Sequence, residues 1–408
     1  MSTDPITAAE PAAPLWRNRD FNLLWSSQTL SEFGGKATHL AIPLLVLAVT
    51  GSPVDAGVAG TAYAVVQTVM RLPGGALADR WSRRRVMLSS DAARIALLAV
   101  LVVSVWLAFV SFPLILCVVV GLGAFGVLFS PAEQACLPRL VPRHQLTQAF
   151  AQNEARQYGA GLAGPPLGGL LYGLGRAAPF LFDLITYVAS FVAVAAIRAP
   201  IDEPAGGRTG ATVRAEIREG LRHVWRTPFL RALVAVAAPL NFSVAGALFA
   251  TTVVLREQGV AAGTIGLAQG VAACGGLLGA FAAPALVRRY SLRQLVIGVY
   301  WVLAVCVAVA TALTGHPAMV APLAVGLFFA PAANASLFGH LAATTPEKLQ
   351  GRVISVVVFA TQALSAVAPI AAGAVTEHVG AVAGMLLCVG AAFGAGIAAT
   401  LAPGLRSS

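Results

Sequence analysis

Leu128-Phe129-Ser130-Pro131-Ala132-Glu133-Gln134-Ala135 returns later in the chain as Phe328-Phe329-Ala330-Pro331-Ala332-Ala333-Asn334-Ala335, an offset of 200 residues. Two further echoes have nearly the same spacing. Arg80-Trp81-Ser82-Arg83-Arg84 is answered by Arg289-Tyr290-Ser291-Leu292-Arg293 at 209, and Pro165 with Gly169 is answered by Pro369 with Gly373 at 204. All three offsets lie near half of the 408 residues, which is the trace a duplicated structural unit leaves.

Composition names the solvent of that unit. The chain is 58% hydrophobic and 11% charged with a mean hydropathy of +0.79, whereas soluble domains carry charge on roughly a quarter of their residues. Crossing about 30 Å of hydrocarbon takes about 20 apolar residues, and the backbone there must satisfy itself as a helix. Such stretches run over 21–49, 54–75, 86–110, 113–137, 147–174 and 178–197, then over 230–255, 263–287, 292–313, 319–343, 353–375 and 379–401. The predicted fold is therefore an all-α polytopic membrane protein, with twelve transmembrane helices in two pseudo-symmetric six-helix bundles. The predicted organisation is a tail at 1–20, bundles at 21–198 and 229–402, a charged linker at 199–228 and a second tail at 403–408.

Basic residues set the orientation, because Lys and Arg are retained on the cytoplasmic side of short loops. With the amino terminus inside, the cytoplasmic loops hold Arg80, Arg83, Arg84, Arg85, Arg139, Arg143, the run from Arg208 to Arg226, Arg288, Arg289, Arg293, Lys348 and Arg352. The opposite loops hold Arg176 and Arg256. Both termini and the linker are placed in the cytoplasm, with the chain in the inner (cytoplasmic) membrane. This bias accounts for the net charge of +10, so nucleic acid is not expected as a partner. The first fifteen residues lack a basic start followed by an apolar core, and no cleavable signal is expected. Cys117, Cys136, Cys274, Cys306 and Cys388 have no Cys-x-x-Cys spacing, so neither a metal nor a disulfide framework is read. Gly121, Gly123 and Gly126 match a dinucleotide pattern but lie inside an apolar span, and a cofactor is rejected.

Ionisable groups inside a span are costly, about 2.5–3.5 kcal/mol at a helix centre, and each is a functional candidate. Gln28, Glu32, Lys36, His39 and Pro43 of the first span fall within an arc of about 80° at roughly 100° per residue, one polar face expected to line a central cavity. Glu32 precedes Lys36 by four residues, the favourable order for an intrahelical ion pair, so a structural bridge and a transport role both stand. His39 is a second proton candidate, since unperturbed imidazole titrates near neutrality. Tyr63, Gln67 and Arg71 recur at intervals of four in the second span, Arg71 either lining the pathway or reaching to the headgroups. Glu133 either pairs with Arg71 or Arg139 as scaffolding or binds a cationic substrate. In the second half, Asn241, Gln269, Asn334, His340 and Gln362 offer hydrogen bonds without fixed charge, and Asp183 is read as structural.

Two motifs carry a family resemblance. Gly75-Ala76-Leu77-Ala78-Asp79-Arg80-Trp81-Ser82-Arg83-Arg84-Arg85 resembles the cytoplasmic loop signature of the major facilitator superfamily, with Ser82 where a glycine is usual. The physical content is a tight turn, an acid poised at a helix terminus or basic partner, and guanidinium groups at the membrane face, a latch for one of two bundle arrangements. The second-half copy has Arg288 in place of Asp79, which makes the latch lopsided. Gly164-Pro165-Pro166-Leu167-Gly168-Gly169 resembles the Gly-Pro-x-x-Gly-Gly motif that marks antiporting exporters of that superfamily. An ordinary tight helix crossing would look similar. Asn18-Arg19-Asp20-Phe21, Leu137-Pro138-Arg139-Leu140-Val141-Pro142, Phe180-Leu181-Phe182-Asp183 and Gly351-Arg352-Val353 are similar to the branch with the enterobactin exporter and macrolide-type drug efflux proteins.

The resemblance implies a non-enzymatic transporter that exports a small amphipathic organic molecule by alternating access, in exchange for protons. It takes the chain as a monomer in the lipid bilayer without cofactors. It also implies an acid directly after the glycine of the first span, where this chain has Gly35, so Glu32 one turn earlier is the substitute proton site. The arginine that proton-linked members often place four residues before a fourth-helix glycine is Cys117 here. An importer or facilitator on the same fold is the nearer alternative, and a transport-inactive sensor or membrane enzyme the more distant one.

Overall fold

The computed structural model describes residues 15–201, 213–314, 316–345 and 347–402, with the side chains of 72–80, 143, 213–217, 219–220, 342–343 and 347–352 outside the description. The tails at 1–14 and 403–408 and the linker core at 202–212 lie outside the described residues, as do the side chains of Gly75, Asp79 and Arg80.

The described chain is helical almost throughout. It runs α1 (Arg19–Thr50), α2 (Pro53–Arg80), α3 (Arg83–Trp106), α4 (Phe112–Leu140), α5 (Leu146–Leu174), α6 (Ala178–Ala196), α7 (Val213–Arg226), α8 (Pro228–Glu257), α9 (Ala262–Arg289), α10 (Leu292–Ala312), α11 (Val320–Thr344), α12 (Glu347–Ala366), α13 (Ala368–Val379) and α14 (Ala381–Leu401). Among the described residues, ten segments are long and apolar enough to cross a membrane. α2 and α5, at 28 and 29 residues, are equally long, and counted with those ten they make twelve. The polarity of α5 is inward: Asn153 and Arg156 are buried against protein instead of facing lipid.

The eleventh span departs from the expected single helix. It is built from α12 and α13, which break at Val367. Pro369 explains the break, since it donates no backbone N–H and its ring crowds the preceding turn. α7 is a short amphipathic helix at the end of the predicted linker, packed against α8 and α12.

Duplication shows in the packing. In the first bundle α1 contacts α5 and α6, α2 contacts α4, and α3 contacts α4 and α6. In the second, α8 contacts α12, α13 and α14, α9 contacts α11, and α10 contacts α11 and α14, the same pattern position for position. The echoed serines do equivalent work at the starts of the third and ninth spans. Ser82 Oγ accepts from Arg85 N at 3.4 Å, and Ser291 Oγ accepts from Gln294 N at 3.3 Å while Gln294 Oε1 accepts from Ser291 N at 3.0 Å. Ser82 at the glycine position of the loop signature thus serves as a helix cap.

Two seams join the bundles, α5 against α9 and α2 against α13. Both consist of backbone on backbone. A Cβ at Gly169 would collide with the carbonyl oxygen of Ala262, one at Gly266 with that of Pro165, one at Gly373 with that of Pro53 and one at Gly57 with that of Pro369. The echoed Pro-Gly pairs therefore sit at equivalent places on the two seams. Both seams lie toward the end of the molecule that carries Thr50 to Pro53; the helices diverge toward the opposite end, which carries Arg19, Arg83 and Leu146.

Candidate functional site

The divergence leaves a central cavity of about 850 Å³, within the range of roughly 300–1,000 Å³ that suits drug-sized ligands. It opens toward the Arg83 end, where Arg71, Gln134 and Glu154 stand at its mouth. Its first wall is the polar face of α1: Gln28, Glu32, Lys36 and His39 all line it. α2 adds Tyr63, Gln67 and Arg71, and α4 adds Glu133. The second bundle contributes Val358, Phe359, Gln362, Ser365 and Ala366 of α12. Asn334 and Asn241 lie elsewhere. Asn334 lines a side crevice between α5, α9 and α11, and Asn241 Nδ2 donates to Thr361 O at 3.3 Å.

Packing decides which of these groups are free. Gln28 is buried, its amide donating to Ser190 Oγ at 2.7 Å. Gln67 Nε2 donates to Tyr63 Oη at 2.8 Å, and the Tyr63 ring meets His39 edge-on with centroids 5.6 Å apart. Lys36 and His39 are accessible from the cavity and Glu32 partly so. Of the two readings of Glu32 and Lys36, the intrahelical bridge is not formed: among the described ion pairs none joins them. Lys36 instead lays its stem on α5, where a Cβ at Gly164 would strike it, and Gly168 is pressed against the backbone of Ala37. The Gly-Pro segment of α5 therefore touches α1 on one side and α9 on the other, so the helix carrying the polar face is mechanically tied to the seam.

Glu133 has a partner that the sequence reading did not consider. Arg156 Nη1 of α5 lies 2.8 Å from Glu133 Oε1, both residues being buried, so neither Arg71 nor Arg139 is needed to neutralise it. A second buried pair was missed altogether. Arg94 Nη2 of α3 lies 2.7 Å from Asp91 Oδ1, and Ser190 Oγ donates to Asp91 Oδ2 at 2.6 Å. The Arg94 guanidinium is sandwiched between Phe129 and Tyr187, with its Cζ 4.6 and 4.4 Å from the ring centroids. Two charges of opposite sign three residues apart inside an apolar span were the available signal.

The loop arginines bind carbonyls at helix ends. Arg83 Nη1 donates to Ala135 O at 3.0 Å and Arg84 Nη2 donates to Ile197 O, tying the start of α3 to α4 and to the end of α6. At the opposite end, the contact between bundles is polar. Glu377 of α13 accepts from Ser52 Oγ at 2.6 Å and from Val54 N at 2.9 Å, a carboxylate set on the amino terminus of α2. Removing it should loosen that end. In Glu377→Ala, a cysteine placed at Thr61, whose hydroxyl accepts from Ile370 N at 3.1 Å, is expected to react several-fold faster with an impermeant maleimide supplied from the Thr50 side.

Comparison with known proteins agrees with this architecture. The sequence profile of the Major Facilitator Superfamily matches residues 24–252. The multidrug efflux pump Tap of Mycolicibacterium fortuitum is 30% identical over 366 residues, covering 85% of this chain and 87% of that protein. Macrolide efflux protein A of Streptococcus pyogenes is 26% identical over 183 residues, 44% of this chain and 45% of that protein. Among solved structures, an inward-facing bacterial homologue of the lysosomal transporter Spinster superposes with a TM-score of 0.74 at 14% identity, covering 96% of this chain and 98% of that one. An inward-facing bacterial homologue of the iron transporter ferroportin gives 0.71 at 17% identity, covering 95% and 99%. These structural likenesses concern the fold.

Proposed function

The chain belongs to the Major Facilitator Superfamily, a family of membrane transporters and not of enzymes, and from that premise we propose that it exports small amphipathic organic molecules in exchange for protons. The observation that carries the reading is the cavity itself. It has drug-sized volume, an apolar and amide-bearing wall from α12, and a facing wall on α1 where Glu32 is reachable and unbridged. A partly accessible carboxylate at that place can bind either a cation-bearing ligand or a proton, which is the exchange an antiporter needs. Both termini then face the cytoplasm, as the basic loops imply, and the described arrangement is open to that side. Loading occurs from the cytoplasm; rocking about the two glycine seams would expose the site on the far side. The efflux proteins it resembles are named for drug export, which favours the outward direction.

Direction and coupling are tested in everted vesicles. Energised vesicles carrying the chain should accumulate fluorescent amphipathic dyes, and accumulation should collapse when the proton gradient is dissipated. An importer would deplete the vesicle interior instead. Glu32→Gln is expected to reduce accumulation to the level of empty vesicles, a loss of more than about tenfold, while expression and elution from a sizing column stay unchanged. Full activity in that variant would remove Glu32 from the coupling.

A further inference from the structure

Besides Glu32, Glu133 and Glu154, the cavity wall holds a fourth carboxyl group, which is buried and outside every described ion pair. Asp183 of α6 is 1% exposed, and its Oδ2 has no hydrogen-bond partner. Its other oxygen is weakly held, with Thr186 Oγ1 at 3.3 Å from Oδ1 and closer, at 2.7 Å, to the Asp183 backbone oxygen. Thr38 of α1 faces the carboxyl and is 4% exposed. A carboxylate buried in a membrane without a cation to pair with would cost several kcal/mol. The Thr38 hydroxyl can serve either state, donating to the carboxylate or accepting from Oδ2–H, and so leaves the carboxyl free to take up and release a proton.

The charges nearby agree. The groups facing Asp183 are Arg94 of α3, Tyr187 of its own helix and Tyr63 of α2. Arg94 is already committed to Asp91 at 2.7 Å and to two aromatic faces, so among the described ion pairs none neutralises Asp183. Glu32, Lys36 and His39 of α1 line the same cavity, with no described ion pair to Asp183, and the facing part of α5 holds only Gly, Pro and Leu over residues 164–170. α1 closes the site at Gly34, where a Cβ would come 2.5 Å from Asp183 Oδ1 and 2.7 Å from Thr186 Oγ1.

We propose that Asp183 is a proton-binding site of the transport cycle, filled when the Thr50 end opens and α1 withdraws, sealed by Gly34 as that end closes, and emptied into the cavity on the opposite side. The step is carboxylate plus proton to carboxylic acid and back. The proton is taken from water on the Thr50 side when α1 leaves, and is returned to water on the other. Because α1 is tied to the seam through Lys36, Ala37 and α5, movement of the bundles and hydration of Asp183 become one event. This deepens the proton-coupled reading above and rests on it.

Infrared pH-difference spectroscopy on the full chain in nanodiscs, with no transport substrate, tests the site apart from export. The wild type is expected to show a protonated-carboxyl C=O band at pH 7 that disappears in Asp183→Asn and remains in Glu32→Gln. In Thr38→Val the band should move to higher frequency, because the acid loses its acceptor. That variant decides the matter if Asp183→Asn fails to fold. A band unchanged in both variants, or a carboxylate spectrum at Asp183 that responds to sodium instead of pH, overturns the proposal. Export without the band removes Asp183 alone; the band without accumulation in vesicles leaves the proton site and removes the export reading.

Discussion

Gly169→Val is expected to abolish export, to below about one tenth of the wild-type rate, with the protein still inserted and folded. The added Cβ meets the carbonyl oxygen of Ala262 and lies 3.0 Å from Gly266 Cα, atoms that belong to backbone and cannot step aside. Overpacking of this kind costs roughly 1–3 kcal/mol. The penalty falls only on the arrangement in which α5 and α9 touch, so it shifts the balance between the two openings about 5- to 150-fold. Gly373→Val should act in the same sense on the other seam, where Pro53 is the obstacle. Gly173→Ala, on the same helix as Gly169 but with nothing within 4 Å of its Cβ, should transport at the wild-type rate. Dye accumulation in everted vesicles, with maleimide labelling from each side, measures both effects. Normal export in Gly169→Val would show that the seam does not open and close.

Arg156→Met is expected to produce the largest loss of stability. It leaves Glu133 buried without its 2.8 Å partner, and breaking a buried pair from one side costs roughly 3–5 kcal/mol. Adding Glu133→Gln should return most of the lost thermal stability in detergent, because the stranded charge is gone. Thermal unfolding of the two single variants and the double variant gives the coupling between them. If Arg156→Met melts like the wild type, the pair is not a structural tie between α4 and α5.

The membrane architecture was legible because its signals are local. Each apolar run reports its own burial in lipid, and the repeated Pro-Gly pairs report close approach wherever it occurs, so spans and seams could be read without knowing their neighbours. The polar face of α1 was legible for the same reason, as a periodicity along one helix. Pairing is different, since it depends on which helices become adjacent. Glu133 finds Arg156 on α5 across 23 residues, and no spacing rule connects them. Lys36 lays the base of its stem against Gly164 of α5, and no described ion pair joins it to Glu32. Asp183 looks structural in the chain and acquires its character from Gly34 and Thr38 of a helix almost 150 residues earlier. The break at Val367 was within reach, since Pro369 announces it, but Pro165 and Pro166 sit inside α5 without ending it.

The two buried ion pairs have an electrical consequence. Asp91 with Arg94, and Glu133 with Arg156, are each neutral as a unit, and the position echoing Glu133 in the second half is Ala333. As the bundles rock, these two pairs therefore carry no net charge through the field of the membrane, which acts at about 2.3 kcal/mol per charge per 100 mV, and the unbridged charges within the first span are Glu32 and Lys36. Over a complete cycle the fixed charges return to their starting places, so the net charge moved is that of the cargo. Currents recorded from the chain on a solid-supported electrode would then read the charge moved per cycle directly, one net charge for a neutral compound leaving against a proton and none for a monovalent cation.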